Sequence, residues 1–290
     1  MSPVLFGLDL TASAAPGADP VLRARAAERL GFDFVSAPDH PCGSAPTYET
    51  WTMLTWIAAS TSRIAVATRV LAVPMRNPPL VAKMAESLDR LSGGRLILGL
   101  GGGYADAEFQ AFGLPVPAAR EKVDGLEDAV RIARRLWTDR AVSHPGRVYR
   151  TDHADVEPKP AHRIPVWLGT FGPRALAVTG RLADGWIPSL GSAPRDQLAA
   201  MRARVLAAAT DAGRRPAEIT CALNLRIATD RAADADVTGT PGAIADQLTD
   251  LVHEGFTAFN LQLADPGELE VAAAEIVPAV RAIPPVSGTA

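Results

Sequence analysis

The stretch LVAKMAESLDRLSGGRLILGLGGG, residues 80–103, shows the unit from which the fold is built. Its first half carries apolar residues at helical spacing, which predicts a helix over Leu80–Leu91. Gly93 is placed to end that helix, and the apolar run Arg95–Leu100 has the length and composition of a buried parallel strand. A glycine run follows the strand. The stretch therefore predicts a helix, a tight turn and a strand in direct succession.

The same alternation extends in both directions along the chain. The predicted strands are Val4–Leu8, Phe32–Ala37, Ile64–Leu71, Arg95–Leu100, Ile164–Gly169, Gly185–Ser189, Ile219–Ile227 and Phe256–Leu263. The predicted helices are Pro20–Leu30, Tyr48–Ala59, Leu80–Leu91, Val123–Trp137, Pro173–Leu182, Arg195–Ala212, Pro241–His253 and Pro266–Ala282. Eight units of about 36 residues each are typical of a (β/α)8 barrel, so the expected α/β fold is a TIM barrel.

The domain organisation follows from the same rhythm. No linker interrupts it, so the sequence predicts one domain over residues 1–290. Residues 143–159 carry Pro145-Gly146 between alternating segments, which predicts a hairpin inserted before the fifth barrel strand. The segment 284–290 is rich in Pro, Gly and Ser, and we expect a frayed tail there.

Composition excludes several classes of protein. The net charge is −3, which argues against a general nucleic-acid binder or a protein of anionic membranes. Cys42 and Cys221 lie far apart, so the sequence indicates neither a disulfide framework nor a zinc motif. The first residues do not resemble a signal peptide, and no run of apolar residues has membrane-spanning length. A cytoplasmic location is therefore expected.

Asp39 and His40 follow the second predicted strand, and active sites of these barrels lie at the carboxyl ends of the strands. A carboxylate beside an imidazole at such a position fits general acid–base chemistry. The alternative is a loop in which Asp39 caps a turn and His40 only packs.

Two further strand ends carry candidate residues. Arg69, in the third strand between Thr68 and Val70, is a charge in an apolar run and needs a partner or solvent at the barrel mouth. The fourth strand ends in Gly101, Gly102, Gly103 and Tyr104, where backbone without side chains could approach a flat ligand. This run does not match a dinucleotide-binding fingerprint, because its third glycine is misplaced.

The loop after the fifth strand enters a helix that begins with proline. Its residues are Gly169, Thr170, Phe171, Gly172, Pro173 and Arg174. Such a loop exposes backbone N–H groups at the positive end of the helix dipole, which favours a phosphate site. The alternative is a helix start with nothing bound.

Three enzyme classes are disfavoured because the sequence lacks the residues that their chemistry needs. It has no mid-strand lysine for the Schiff base of an aldolase, no metal-ligand spacing for a metallohydrolase and no Gly-x-Ser-x-Gly elbow for a serine hydrolase.

Segments characteristic of a known family are spread over nearly the whole chain. The chain resembles the bacterial-luciferase-like flavin and deazaflavin oxidoreductases, which are (β/α)8 barrels. The segments that carry the resemblance are Ala26-x4-Gly31-Phe32-Asp33-x-Val35, Asp39-His40, Val70-x3-Pro74-x-Arg76-Asn77-Pro78, Asp89-x-Leu91-Ser92-Gly93-Gly94-Arg95-Leu96-x-Leu98-Gly99-x-Gly101, Glu108-Phe109-x-x-Phe112-Gly113, Ala183-Asp184-Gly185-Trp186 and Gly239-Thr240-Pro241. Redox chemistry is implied by this resemblance alone.

The Asp39-His40 pair is similar to the branch that uses coenzyme F420, a deazaflavin. In that branch the pair sits at the ring, and the His is proposed as the base or proton donor. By resemblance, Thr68-Arg69-Val70 forms a bulge with a non-prolyl cis bond behind the ring, Gly101–Gly103 contact the ring side, and Gly169–Arg174 contact the phosphate. Arg69 stands where relatives usually carry a small residue.

The resemblance thus predicts an F420-dependent oxidoreductase that exchanges a hydride between deazaflavin C5 and a small organic substrate. That substrate is an alcohol/ketone pair or an activated C=C. His40 would handle the proton, and Asp39 would orient His40 and the ring. Tyr104 stands where the sugar-phosphate dehydrogenases of this group carry a catalytic Glu, so a sugar phosphate is not expected.

Two other functions remain open from the sequence. One is an FMN-dependent, luciferase-like monooxygenase that uses reduced flavin and O2, and the other is a non-catalytic flavin- or F420-binding protein. Relatives are commonly dimers through the helices beside strands two and three, so a homodimer is a possible assembly. A partner enzyme that reduces F420 or flavin is also compatible, whereas no nucleic-acid or membrane partner is expected.

Overall fold

The structure is a computed structural model that describes residues 4–229, 233–263, 265 and 267–283. Its strands are β1 (Leu5–Asp9), β2 (Phe34–Ala37), β3 (Ala65–Thr68), β4 (Leu71–Ala72), β5 (Leu96–Gly101), β6 (Val142–Pro145), β7 (Arg150–Ala154), β8 (Val166–Leu168), β9 (Gly185–Trp186), β10 (Thr220–Ala228), β11 (Val237–Thr238) and β12 (Ala258–Leu263). Its helices are α1 (Pro20–Arg29), α2 (Thr50–Ser60), α3 (Pro78–Ser92), α4 (Asp106–Ala111), α5 (Ala119–Thr138), α6 (Pro173–Leu182), α7 (Arg195–Asp211), α8 (Pro241–His253), α9 (Glu268–Val271) and α10 (Val277–Arg281).

Parallel strands close into a barrel in the order β1-β2-β3-β5-β8-β9-β10-β12, and β12 pairs again with β1. Leu5 lies opposite Ala258 at this closure. The short strands β4 and β11 pair with β5 and β10 at the rim. Each of the eight predicted strands has its counterpart in this ring, and helices lie between successive strands. The predicted (β/α)8 barrel is confirmed.

The barrel interior has an apolar layer beneath a polar one. Phe34 and Trp167 pack edge to face with ring centroids 5.6 Å apart. Above them the Ser36 hydroxyl donates to Asn260 Oδ1 at 2.9 Å, and Asn260 Nδ2 donates to Asn224 Oδ1 at 2.9 Å. Buried polar groups need such partners, so this chain of hydrogen bonds forms a satisfied polar floor at the carboxyl end of the strands.

The predicted insertion is present as the antiparallel hairpin β6–β7 before β8. The buried Asp128 carboxylate on α5 accepts hydrogen bonds from the backbone N–H groups of Val148 and Tyr149, at 2.8 and 3.1 Å. These bonds fix the hairpin turn to the helix. The expected frayed tail, residues 284–290, lies outside the described residues.

The predicted third strand, Ile64–Leu71, is wrong as one continuous element. The structure divides it into β3 and β4, because the Arg69–Val70 peptide bond is cis and interrupts the ladder. The short helix α4 was not predicted, since six residues are too few for a helical period to stand out. Within the described ranges, no helix has the length and apolar character needed to cross a membrane.

Candidate active site

A cavity of about 640 Å³ opens at the carboxyl ends of the barrel strands. Most of the residues predicted for the site line it. They are Asp39, His40, Arg69, Val70, Gly101, Gly102, Gly103, Tyr104, Gly169, Thr170 and Phe171. Four other predicted residues are not among the lining residues, namely Thr68, Gly172, Pro173 and Arg174. The structure thus brings most of the predicted residues together around one cavity at the barrel mouth, but not every predicted residue reaches it.

His40 stands between two partners at the cavity edge. Its Nδ1 lies 2.7 Å from Glu108 Oε1, and its Nε2 lies 3.1 Å from the Tyr104 hydroxyl. A carboxylate accepts hydrogen bonds only, so Glu108 fixes the proton of a neutral His40 on Nδ1. Nε2 of the neutral ring is then the nitrogen with a free lone pair that can accept a proton.

Asp39 does not orient His40, which corrects the expectation from the sequence. Its fully buried carboxylate receives both arms of the Arg76 guanidinium at 2.7 and 2.9 Å, and the Ala72 N–H at 3.0 Å. These bonds leave the carboxylate committed to the loop after β4. Asp39 therefore holds that loop against the end of β2, and the carboxylate that contacts His40 is Glu108.

Arg76 lies in the loop after β4, and its side chain is largely buried against Asp39. Burial alone would lower the pKa of the Arg76 guanidinium, but its bonds to Asp39 and Glu49 outweigh burial and raise that pKa. Arg76 was quoted in the family resemblance without a role. The guanidinium binds both Asp39 oxygens at once, a bidentate geometry that arginine can form and lysine cannot.

Backbone without side chains forms part of the cavity lining at Gly101, Gly102, Gly103 and Gly169, which together are called the glycine wall. A Cβ on Gly101 would lie 2.6 Å from Val70 Cγ2, and one on Gly169 would lie 3.1 Å from the same atom. A side chain at Gly101 would therefore require Val70 to move, whereas one at Gly169 would require a shift of only a few tenths of an ångström. The predicted non-prolyl cis bond is present, between Arg69 and Val70.

Thr68 supports this wall from behind and does not reach the cavity. Its buried hydroxyl donates to the Gly99 carbonyl at 2.7 Å and accepts from the Gly99 N–H at 2.8 Å. These two bonds tie β3 to β5 next to the bulge. The expectation that Thr68 contacts the cofactor is therefore not supported by its position.

Arg69 reaches across the bulge to β1. Its guanidinium lies 2.9 Å from Asp9 Oδ2 and 3.2 Å from Asp9 Oδ1. Burial raises the pKa of the Asp9 carboxyl, and the positive charge of Arg69 opposes part of that rise. The partner that the sequence required for this charge inside an apolar strand is therefore Asp9.

The loop 169–174 leads into α6, as the sequence predicts. Gly172 is the N-cap residue and Pro173 occupies the first turn, where the absence of an N–H costs nothing. Thr170 is held at both ends, since its hydroxyl pairs with Thr179 at 2.8 Å and its carbonyl accepts from Trp186 Nε1 at 2.9 Å. Arg174 turns away and binds Asp124 at 2.6 Å.

Several lining residues were not predicted. Lys122 on α5 lines the cavity and pairs with Asp106 on α4. Gln197 on α7 and Asn224 on β10 also line it, but neither stands in a motif, so no sequence pattern indicates them. Glu108 did have one, because it opens the quoted Glu108-Phe109-x-x-Phe112-Gly113 segment. That segment begins in the short helix α4, from which the Glu108 side chain reaches His40.

Comparison with known proteins decides the family. The model of the luciferase-like monooxygenase family matches residues 2–238. The chain belongs to this family. The luciferase-like chain is 32% identical over 235 residues to an F420-dependent glucose-6-phosphate dehydrogenase of Nakamurella multipartita, which covers 79% of the chain and 68% of that relative. It is 37% identical over 177 residues to an enzyme of the same description from Intrasporangium calvum, which covers 57% of the chain and 52% of the relative.

A solved structure shows the same fold over almost the whole length. An F420-dependent secondary alcohol dehydrogenase in complex with an F420–acetone adduct superposes with a TM-score of 0.86 at 20% identity, covering 96% of this chain and 99% of the other. The predicted family resemblance is confirmed. This luciferase-like chain spans between half and about two thirds of the length of the two dehydrogenases it matches.

Proposed function

We propose that the protein is an F420-dependent oxidoreductase. The observation that carries the proposal is that His40, fixed by Glu108, faces the same cavity as the glycine wall and the start of α6. The family and the F420-dependent relatives support the choice of cofactor. When bound, F420 supplies hydride exchange with a small organic substrate, which is an alcohol/ketone pair or an activated C=C.

The cavity has the features that such a cofactor requires. Its glycine wall offers backbone without side chains to a flat ring, and a side chain at Gly101 would displace Val70. Phe171 and the α6 residue Ala175 line the cavity, so the first turn of that helix faces it. The N–H groups of a first helical turn have no partner inside the helix, and they are suited to a phosphate.

The chain's own residues then have distinct tasks. Gly101, Gly102, Gly103 and Val70 position the ring, and the loop 169–174 holds the phosphate. Asp39 and Arg76 fix the loop that closes the cavity on one side. His40 Nε2 takes a proton during substrate oxidation and returns it during reduction, while Glu108 keeps Nδ1 protonated.

Cofactor choice can be measured directly. Titration of the purified protein, monitored by fluorescence, should show oxidised F420 binding at least tenfold more tightly than FMN, a difference of about 1.4 kcal/mol. The expected reason is that the Asp39-His40 segment and the glycine loops resemble the F420 branch. Equal or tighter FMN binding would favour the monooxygenase function instead, and stoichiometric binding without turnover of any second substrate would favour a carrier.

The phosphate loop can be tested at Gly172. The variant Gly172→Asp places a negative charge at the start of α6, and we expect F420 affinity to fall at least tenfold, about 1.4 kcal/mol. A side chain fits there, since a Cβ on Gly172 meets no atom within 4 Å and Asp is a good N-cap. The matched control is Gly172→Asn, which has the same shape without the charge and should bind nearly as wild type does. If both variants bind alike, the loop does not hold a phosphate.

A further inference from the structure

The Tyr104 hydroxyl lies against His40 Nε2, the ring nitrogen that can accept a proton when the neutral ring is protonated on Nδ1. The hydroxyl lies 3.1 Å from His40 Nε2, and the two rings meet edge to face at a centroid distance of 5.4 Å. On the other side of the imidazole ring, Glu108 Oε1 lies 2.7 Å from His40 Nδ1. A substrate oxygen therefore meets the Tyr104 hydroxyl where it would otherwise meet the imidazole.

The direction of these hydrogen bonds follows from their chemistry. An ionised Glu108 can only accept, so Nδ1 of neutral His40 is the donor and Nε2 is the acceptor. The Tyr104 hydroxyl must then donate to Nε2. Its oxygen keeps lone pairs for a donor in the cavity, which Tyr104 lines as a largely exposed residue.

We infer that Tyr104 is the catalytic residue that touches the substrate oxygen, with His40 behind it and Glu108 as a positioning residue. This inference rests on the proposed function and narrows its substrate to an alcohol/ketone pair. A phenol hydroxyl exchanges protons with oxygen, as alcohol oxidation requires.

The proposed step balances in atoms and charge. In the oxidation direction the alcohol C–H bond breaks and its electron pair leaves as hydride to the oxidised deazaflavin. The alcohol O–H proton passes to the Tyr104 oxygen while the Tyr104 proton passes to His40 Nε2. The products would be a ketone, the reduced deazaflavin with one more negative charge than the oxidised form, neutral Tyr104 and a positively charged imidazolium that Glu108 stabilises.

The hydrogen-bond order can be checked without cofactor or substrate. Nitrogen-15 NMR of the cofactor-free protein, with the His40 signals assigned from a His40→Gln variant, should show the neutral ring protonated on Nδ1. Tyr104→Phe should shift the Nε2 resonance and leave the Nδ1 proton in place, whereas Glu108→Gln should weaken the preference for Nδ1. A neutral His40 protonated on Nε2 would overturn the inference.

Catalysis supplies the second test, with propan-2-ol, butan-2-ol and cyclohexanol as probes and oxidised F420 as acceptor. Tyr104→Phe should lower the single-turnover rate by at least 10²-fold while F420 affinity stays within threefold. The control is Tyr48→Phe, which removes a hydroxyl from a half-exposed tyrosine that is not among the described residues lining the cavity. We expect that control to be as fast as wild type.

A double variant distinguishes a relay from two independent effects. Residues that act as a unit are not additive, so Tyr104→Phe combined with His40→Ala should be no more than threefold slower than His40→Ala alone. Multiplicative losses would overturn the inference, as would a Tyr104→Phe rate within threefold of wild type. Failure to oxidise any of the three alcohols with F420 bound overturns it too and leaves the proposed function standing. Failure to bind F420 at all overturns the proposed function itself.

Discussion

His40→Ala is expected to lower the rate of the chemical step by 10²- to 10⁴-fold, the usual contribution of a general acid–base group. The variant removes Nε2, the proposed proton acceptor, and changes no residue of the glycine wall or the α6 loop. F420 affinity should therefore stay within a few-fold of wild type. Single-turnover rates at saturating F420 measure the chemical step separately from binding.

A matched control for this variant is His153→Ala. His153 is an exposed histidine on β7 whose Nδ1 also lies against a carboxylate, that of Asp152, at 2.6 Å. Its removal should change neither the rate nor F420 affinity. If His40→Ala keeps a chemical step within threefold of wild type but loses cofactor affinity or stability, His40 only packs the loop and the proton is handled elsewhere.

Arg76→Met is expected to destabilise the fold by about 3–5 kcal/mol, the usual cost of leaving one member of a buried ion pair without its partner. The Asp39 carboxylate would keep only the Ala72 N–H as a hydrogen-bond donor among the contacts described for it. Urea unfolding should show a lower midpoint with an unchanged slope.

Two further variants give this prediction its controls. Arg215→Met removes an equivalent charge from the exposed Arg215–Glu218 pair and should cost less than about 1 kcal/mol. Adding Asp39→Asn to Arg76→Met removes the buried negative charge that has lost its arginine partner, and it should restore part of the lost stability. An Arg76→Met protein as stable as the Arg215→Met protein would contradict the importance assigned to the Asp39–Arg76 pair.

The barrel was predictable because its strands are buried on both faces and its helices end in turn residues. Runs such as Arg95–Leu100 have few alternatives once Gly93 has ended the preceding helix. The interruption of the third strand was predictable only through the family resemblance. Nothing in the local composition of Ala65–Ala72 indicates a cis bond at Arg69–Val70.

The position of the site was also predictable, because parallel barrels place strand ends on one face. The roles within it were not, as Asp39 shows. Adjacent residues in a chain often point to different neighbours, so the pairing of Asp39 with Arg76 and of His40 with Glu108 depends on segments 37 and 68 residues away. The expected homodimer, the cytoplasmic location and a reducing partner enzyme stay predictions.

The contact of Val70 with two glycines has a consequence for protein engineering. Val70, Gly101 and Gly169 come from three different strand ends, but they share one small volume. A mutant library that varies Gly101 alone would recover mainly glycine, and it would wrongly mark this position as unchangeable. Randomising all three positions together would let a smaller side chain at 70 make room for a larger one at 101 or 169, which is the practical route to a reshaped cavity wall.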